Sequence, residues 1–115
     1  MNKINGQKAE IECFGQKYQV NLEVSTYLEN PDRKAIEVLY YDDEIQMSLP
    51  FARLTVNVPE FQLEPNQCII KDYSENEEWA WHLIRQINCF EKLFSLQLGY
   101  AIASLVQLKE GWTWE

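Results

Sequence analysis

Four carboxylates lie within the nine-residue stretch KDYSENEEW, residues 71–79, between a lysine and a tryptophan. Carboxylates at this density can coordinate a metal ion, form a general acid–base pair, contact a partner or begin a helix. Each role needs different neighbours, so the surrounding residues decide between them. The four acids are Asp72, Glu75, Glu77 and Glu78.

Neither a metal site nor a catalytic site is favoured by the residues around these acids. A calcium loop alternates its ligands around a glycine, and this stretch has no glycine. The single histidine, His82, and the three cysteines, Cys13, Cys68 and Cys89, lack the close pairing of zinc ligands. No nucleophile elbow or phosphate-binding glycine loop occurs. The sequence therefore predicts a protein that is not an enzyme and has no cofactor or metal, with reduced thiols as small core residues.

The start of a helix explains most of the cluster. Ser74 and Glu77 have the spacing of a capping box. In this motif the Ser74 hydroxyl accepts the Glu77 backbone N–H, and the Glu77 carboxylate accepts the Ser74 backbone N–H. Glu75 and Glu78 would place negative charge in the first turn, where it complements the helix dipole. Asp72 and Glu78 exceed what capping requires.

The residues that follow repeat their apolar positions with the period of a helix. Most large apolar side chains share one stripe, and Trp81 falls outside it. The spacing predicts a helix over about 75–90. The stripe consists of Trp79, Ala80, Leu83, Ile84, Ile87 and Phe90.

Alternating apolar residues predict strands before that helix. YQVNLEV at 18–24 and AIEVLYY at 35–41 both alternate with a period of two. ENPDR between them is typical of a turn, so the two segments are expected to form a hairpin. Further strands are expected at 9–14, 45–49, 52–58 and 68–73.

The tail suits either a helix or a strand. Gly99 weakens a helix interior, and the alternation from Tyr100 onward favours a strand over 99–108. The chain then ends in two tryptophans, Trp112 and Trp114, which would share one face of a strand.

These elements add up to an α+β fold, in which an antiparallel sheet of five to six strands packs against one main helix at about 75–90. The length of 115 residues and the hydrophobic content of 46% suit a single domain spanning 1–115. No apolar run is long enough to span a membrane and the start does not resemble a signal peptide. A cytoplasmic protein without membrane contact is therefore expected.

The net charge of −8 comes from the middle of the chain. Residues 37–78 hold ten acids and two bases, whereas the remainder holds eight of each. Contact with nucleic-acid phosphates needs clustered lysine and arginine, so direct nucleic-acid binding is not expected. An acidic surface instead attracts a basic partner, although such charge also serves ordinary solubility.

Acids beside exposed aromatic residues are typical of protein interfaces. The DDE turn at 42–44 also suits a solvated turn, and Trp81 also suits a partly buried helix flank. We nevertheless take the acids of that turn and of the helix start, together with three tryptophans, as the candidate partner-binding residues. They are Asp42, Asp43, Glu44, Asp72, Glu75, Glu78, Trp81, Trp112 and Trp114.

Residues 51–78 carry a pattern of motifs: an aromatic residue, an LTVN-P strand, a loop and a K-D-Y-S-E-N-E segment. Here these are Phe51, residues 54–57, Pro59 and residues 71–77. The pattern resembles the core of a family of small acidic proteins of unknown function, encoded on plasmids, conjugative elements and phages of low-GC Gram-positive bacteria. The helix of that family is usually poorer in aromatic residues than EWAWHLIRQ in this chain.

The resemblance implies a protein that binds a host protein. The preferred hypothesis is a small acidic inhibitor, encoded by a mobile element, that occludes a basic nucleic-acid-binding surface of a host defence nuclease, as anti-CRISPR proteins do. A CRISPR effector nuclease is the candidate partner. The alternative is a non-enzymatic accessory interaction module of a plasmid or phage, with a homo-oligomer built through the tryptophan-bearing tail as one form. The resemblance brings no catalytic residues.

Overall fold

Strands dominate the computed structural model, which describes residues 2–115. Strands account for 52% and helices for 10% of the chain. A 3-10 turn (Ser74–Asn76) and one α-helix, α1 (Ala80–Ile87), separate the sixth strand from the seventh. The strands are β1 (Asn2–Lys3), β2 (Lys8–Cys13), β3 (Gln16–Thr26), β4 (Lys34–Asp42), β5 (Met47–Arg53), β6 (Gln67–Ile70), β7 (Phe90–Leu98), β8 (Ala101–Leu108) and β9 (Trp112–Thr113).

The first large sheet is an antiparallel meander in the order β2-β3-β4-β5. It contains the predicted hairpin, because β3 and β4 pair from Val20 with Tyr40 to Thr26 with Lys34. In a meander, alternate turns lie at the same end of the sheet. The turn after β2 and the turn after β4 therefore share one end.

The second large sheet has the order β6-β8-β7. Its central strand β8 confirms the strand predicted for the tail, and β7 forms a hairpin with it. Leu98 pairs with Ala101, which leaves a two-residue loop that starts with Gly99. Gly99 has φ of 62°, a left-handed conformation that glycine adopts without steric cost.

The predicted α+β fold is wrong. The described residues form three sheets of two, four and three strands, and α1 has only eight residues, rather than one sheet packed against a main helix. The helix predicted over 75–90 is cut short because Asn88 adopts a left-handed cap with φ of 60° and Phe90 already begins β7. At eight residues α1 cannot cross a membrane, and no other helix within residues 2–115 is long and apolar enough to do so.

The predicted single sheet divides because the chain crosses between two sheets at residues 54–56. β5 runs through Pro50 and ends at Arg53, so the separate strand predicted at 52–58 is wrong. The Leu54 N–H then donates to Ile36 in the first sheet, while the Leu54 carbonyl accepts from Lys71 beside the second. Leu54 thus forms backbone hydrogen bonds to the first sheet through its N–H and to the segment beside the second sheet through its carbonyl.

The capping box predicted at Ser74 is also wrong. Ser74 has φ of 57°, and its carbonyl accepts the Glu77 backbone N–H at 3.2 Å in the 3-10 turn. The helix starts later, with Trp79 as its N-cap and no side-chain cap. The segment that the sequence pattern assigned to the first turn of the helix is instead a polar 3-10 turn that precedes the helix.

The main core lies where α1 and the two large sheets meet. Trp79, 2% exposed, is its largest fully buried side chain. Helix α1 packs against β2, and the Gln86 side chain exchanges two hydrogen bonds with the Glu10 backbone, at 2.9 Å and 2.8 Å. This side chain covers the outer edge of β2, as a paired strand would.

Candidate functional site

Five of the nine predicted partner-binding residues lie at or beside the end of the first sheet that the turns after β2 and β4 share. We call this group the acidic end. Glu78 contacts the turn after β2, because its Oε1 accepts the Phe14 N–H at 3.3 Å and the Cys13 thiol donates to its Oε2 at 3.8 Å. The acidic end consists of Asp42, Asp43, Glu44, Glu75 and Glu78.

A pocket of about 260 Å³ opens beside these acids. The Phe51 ring forms part of its wall, 5.1 Å from the Tyr18 ring and 5.3 Å from the Trp79 ring between centroids. Glu75 supplies the one carboxylate of the wall. We call this the aromatic pocket, and its lining residues are Cys13, Phe14, Tyr18, Phe51, Ala52, Glu75 and Trp79.

Phe14 forms the outer wall of the aromatic pocket in an unusual conformation. It is 82% exposed and has φ of 51°, and Gly15 follows with φ of 78°. Cys13 pairs with Gln16, so this is a two-residue hairpin loop with both residues left-handed, a setting that favours Asn-Gly. A bulky aromatic residue there is strained and exposed, and such strain is typical of functional positions.

The acids at this end differ in their neighbours. The Lys71 ammonium donates to Glu75 Oε1 at 2.5 Å and lowers the pKa of Glu75 to about 2, so Glu75 is ionised. Lys71 itself lines a different cleft, together with Tyr73. Residues 2–115 contain one other ion pair, Arg53 with Glu37, and hence none that involves the remaining four acids of the acidic end.

The DDE turn extends the acidic surface away from the pocket. Asp42 Oδ1 accepts the Glu44 N–H at 2.9 Å, which orders the turn. Asp42 lies two residues beyond Tyr40 on β4, so both point to the same face. The Tyr40 ring is 5.7 Å from the ring of Tyr18, a pocket residue, so Asp42 lies on the same face of β4 as this aromatic contact.

Asp72 and Trp81 contact each other inside the molecule. Asp72 Oδ2 accepts from Trp81 Nε1 at 2.5 Å and from the Ser104 hydroxyl at 2.6 Å. Ser104 is 2% exposed, so this carboxylate links α1 to the centre of β8. On its other side, the Trp81 ring lies 6.0 Å from the Lys92 ammonium. Both predicted partner-binding residues thus use their polar atoms in contacts within the protein.

Trp112 and Trp114 are anchored where the two ends of the chain meet. Strands β1 and β9 pair in parallel, with Asn2 opposite Trp112. The Trp114 indole N–H donates to the Pro65 carbonyl at 2.8 Å, and its ring lies 6.0 Å from Phe90. Both tryptophans are half-buried and pack against the main core.

The sequence interpretation missed the aromatic members of the site. Phe14, Tyr18 and Phe51 were assigned to strands or to the family motif, and their convergence depends on the meander and on α1. One signal was available: a phenylalanine directly before Gly15 in a two-residue turn, where a polar residue is usual.

Burial raises the pKa of the Cys13 thiol, and the nearby Glu78 carboxylate raises it further, so the pocket wall contributes a neutral group there. Within residues 2–115, no three His, Cys, Asp or Glu side chains converge as metal ligands would.

A scan against protein-family models, a search of curated proteins and a search of solved structures find no match to the chain. The class of the site therefore rests on its own geometry, which combines an acidic surface with an aromatic pocket.

Proposed function

We propose that the protein is a non-enzymatic inhibitor that docks its acidic end onto a basic surface of another protein. The observation that carries the proposal is the grouping of five acids at one end of the first sheet, four of them without an ion-pair partner in residues 2–115, next to an aromatic pocket that Glu75 lines. Charge of one sign speeds the encounter with an opposite surface, and a central aromatic anchor holds the complex.

The partner that fits best is a nuclease whose nucleic-acid groove is lined with lysine and arginine. Carboxylates at the acidic end would occupy positions that phosphates take in such a groove. The resemblance of residues 51–78 to proteins of mobile elements supports a host defence nuclease, and a CRISPR effector is the specific candidate. Such an encounter would take place in the cytoplasm.

Salt tests this electrostatic docking. We expect the affinity for a purified CRISPR effector to fall at least tenfold between about 0.1 M and 0.5 M salt, because the Debye length shortens from roughly 10 Å to a few Å. Biolayer interferometry against effectors and restriction nucleases would measure it. An affinity that does not change with salt would contradict electrostatic docking.

A second function is favoured by one edge of the three-stranded sheet. The edge of β2 is covered by Gln86, β5 contains Pro50, and β6 is bridged by Thr55. Strand β7 has nine residues and no backbone partner on its outer side within residues 2–115. Uncovered edges of this length are where strands of a second chain pair.

The β7 edge suits a second copy of the same chain. Strand β7 carries one acid, Glu91, and one base, Lys92, so it has no net charge and two copies with a net charge of −8 each would avoid repulsion there. Leu93 and Phe94 are 39% and 48% exposed on this strand. We propose this strand, and not the anchored tryptophan tail, as the surface of a homodimer.

Sedimentation velocity checks the dimer. We expect the wild type to show a monomer–dimer equilibrium that L93K/F94K shifts to monomer, because charge on an edge strand blocks pairing. Y100K is the control, since Tyr100 is fully exposed at the tip of the same hairpin and outside the proposed edge contact. A wild type that sediments as a monomer at every concentration would rule the dimer out.

A further inference from the structure

The aromatic pocket has the size of a site for one side chain. Its volume of about 260 Å³ lies below the range of about 300–1,000 Å³ that is typical of pockets for whole small molecules. Two of its lining residues, Phe14 and Glu75, are largely exposed, and Glu75 belongs to the acidic end. A group that enters it would therefore project from a surface docked on that end.

The walls favour a cation over other groups. The faces of phenylalanine, tyrosine and tryptophan rings carry negative electrostatic potential and attract cations. The Phe51 ring is tilted by 53° to Tyr18 and by 73° to Trp79, so the aromatic walls meet at different angles. Glu75 adds an ionised carboxylate that can accept hydrogen bonds from a cation, and Lys71 offsets part of its charge.

Among biological cations, the guanidinium group of arginine matches these walls best. It is planar and stacks on aromatic rings, and its forked donors pair with a carboxylate through two hydrogen bonds. A lysine ammonium is more strongly hydrated and loses more on leaving water. Lys71 occupies Glu75 Oε1, so an entering guanidinium group would share this carboxylate with Lys71 and donate to the other oxygen, Oε2.

We propose that the aromatic pocket binds the guanidinium group of an arginine on the partner protein, an inference that rests on the proposed function. Phe14 would cover the outer side of the guanidinium group, and Glu75 Oε2 would accept its hydrogen bonds. The strained turn would hold Phe14 in place before binding, because Glu78 ties its backbone N–H. Preorganisation of this kind reduces the entropy lost on binding.

A peptide titration tests the pocket without the partner. The probe is acetyl-Gly-Arg-Gly-amide, and the comparison is the same peptide with citrulline, which has nearly the same shape and no charge. We expect the arginine peptide to shift the amide NMR signals of Phe14 and Ala52 with millimolar affinity. The citrulline peptide is expected to bind at least tenfold more weakly. Equal binding of both peptides, or no shift at these residues, would overturn the proposal.

One substitution separates a binding role for Phe14 from a folding role. F14N removes the ring but creates Asn-Gly, the sequence that this turn favours, so its melting temperature is expected to equal or exceed that of the wild type. We expect its affinity for the arginine peptide to fall about tenfold, in line with the loss of a cation–π contact. Y100N removes an exposed aromatic residue from the other hairpin tip and should leave binding unchanged. Unchanged binding by F14N would contradict the role of Phe14.

Failure of the pocket and failure of the proposed function give different results. If the effector binds in a salt-dependent way while the arginine peptide does not bind, electrostatic docking stands and the arginine site is wrong. If the peptide binds at Phe14 while no effector binds, the arginine site stands and the nuclease target is wrong.

Discussion

Replacing Trp79 with alanine is expected to lower the free energy of unfolding by about 3–5 kcal/mol. Trp79 is 2% exposed at the junction of α1 with the first sheet, and its ring packs edge-on against Phe51 at 5.3 Å between centroids. Its indole N–H also donates to the Glu75 carbonyl at 3.1 Å. Alanine would leave a cavity at the base of the aromatic pocket and a carbonyl without its partner.

Urea denaturation followed by far-UV circular dichroism would measure the effect. W79F is the matched control, because it keeps an aromatic ring against Phe51 and loses only volume and one hydrogen bond. We expect it to lose less than half of what alanine loses. If W79A lost under about 1 kcal/mol, Trp79 would not support the core as described.

Replacing Asp72 with alanine is expected to lower the free energy of unfolding by about 2–4 kcal/mol. The change leaves the Ser104 hydroxyl, 2% exposed, and the Trp81 indole N–H without the acceptor that joins them. Buried donors without partners are more harmful than the net gain of one hydrogen bond suggests. The Asp72 contacts also hold the loop after β6 against α1.

Two controls separate charge from hydrogen bonding at Asp72. D72N keeps an acceptor oxygen, so we expect a smaller loss than for alanine. D43A removes an exposed acid of the DDE turn and should change stability by no more than about 0.5 kcal/mol. Equal stability of D72A and D43A would show that the internal network contributes nothing.

Short-range pattern predicted much of the strand content. The alternation in β3 and β4 corresponds to a face that is buried in the core, so there a local pattern reports burial directly. The alternation after Gly99 predicted the strand β8 correctly but not its burial, because Ala103 to Val106 are all buried between two neighbouring strands.

The helix and the single sheet were predicted wrongly because long-range contacts override local pattern. Ser74 and Asn88 both adopt left-handed conformations, which confine the helix to the residues between them. Leu54 connects the two large sheets by hydrogen bonds that no spacing reveals. A strand pattern near Pro50 and Pro59 could not show where one sheet ends and another begins.

The candidate site was predicted in its charges and not in its aromatic residues. The DDE turn and Glu78 were marked by charge alone, and the meander brings them to one end. Phe14 and Phe51 lie far apart in sequence, so only the fold places them together. Asp72 and Trp81 had the composition of an interface, but they bond to each other.

The most direct test of the central claim compares two charge reversals of equal size. D42K/D43K/E78K changes the acidic end, and E60K/E110K/E115K changes three exposed acids elsewhere, so both variants alter the net charge equally. We measure the affinity for the purified CRISPR effector and the inhibition of its nuclease activity. Docking through the acidic end predicts a loss of about 100-fold for the first variant, roughly 1 kcal/mol per reversed contact, and under threefold for the second. Equal losses for both variants, or an intact first variant, would contradict it.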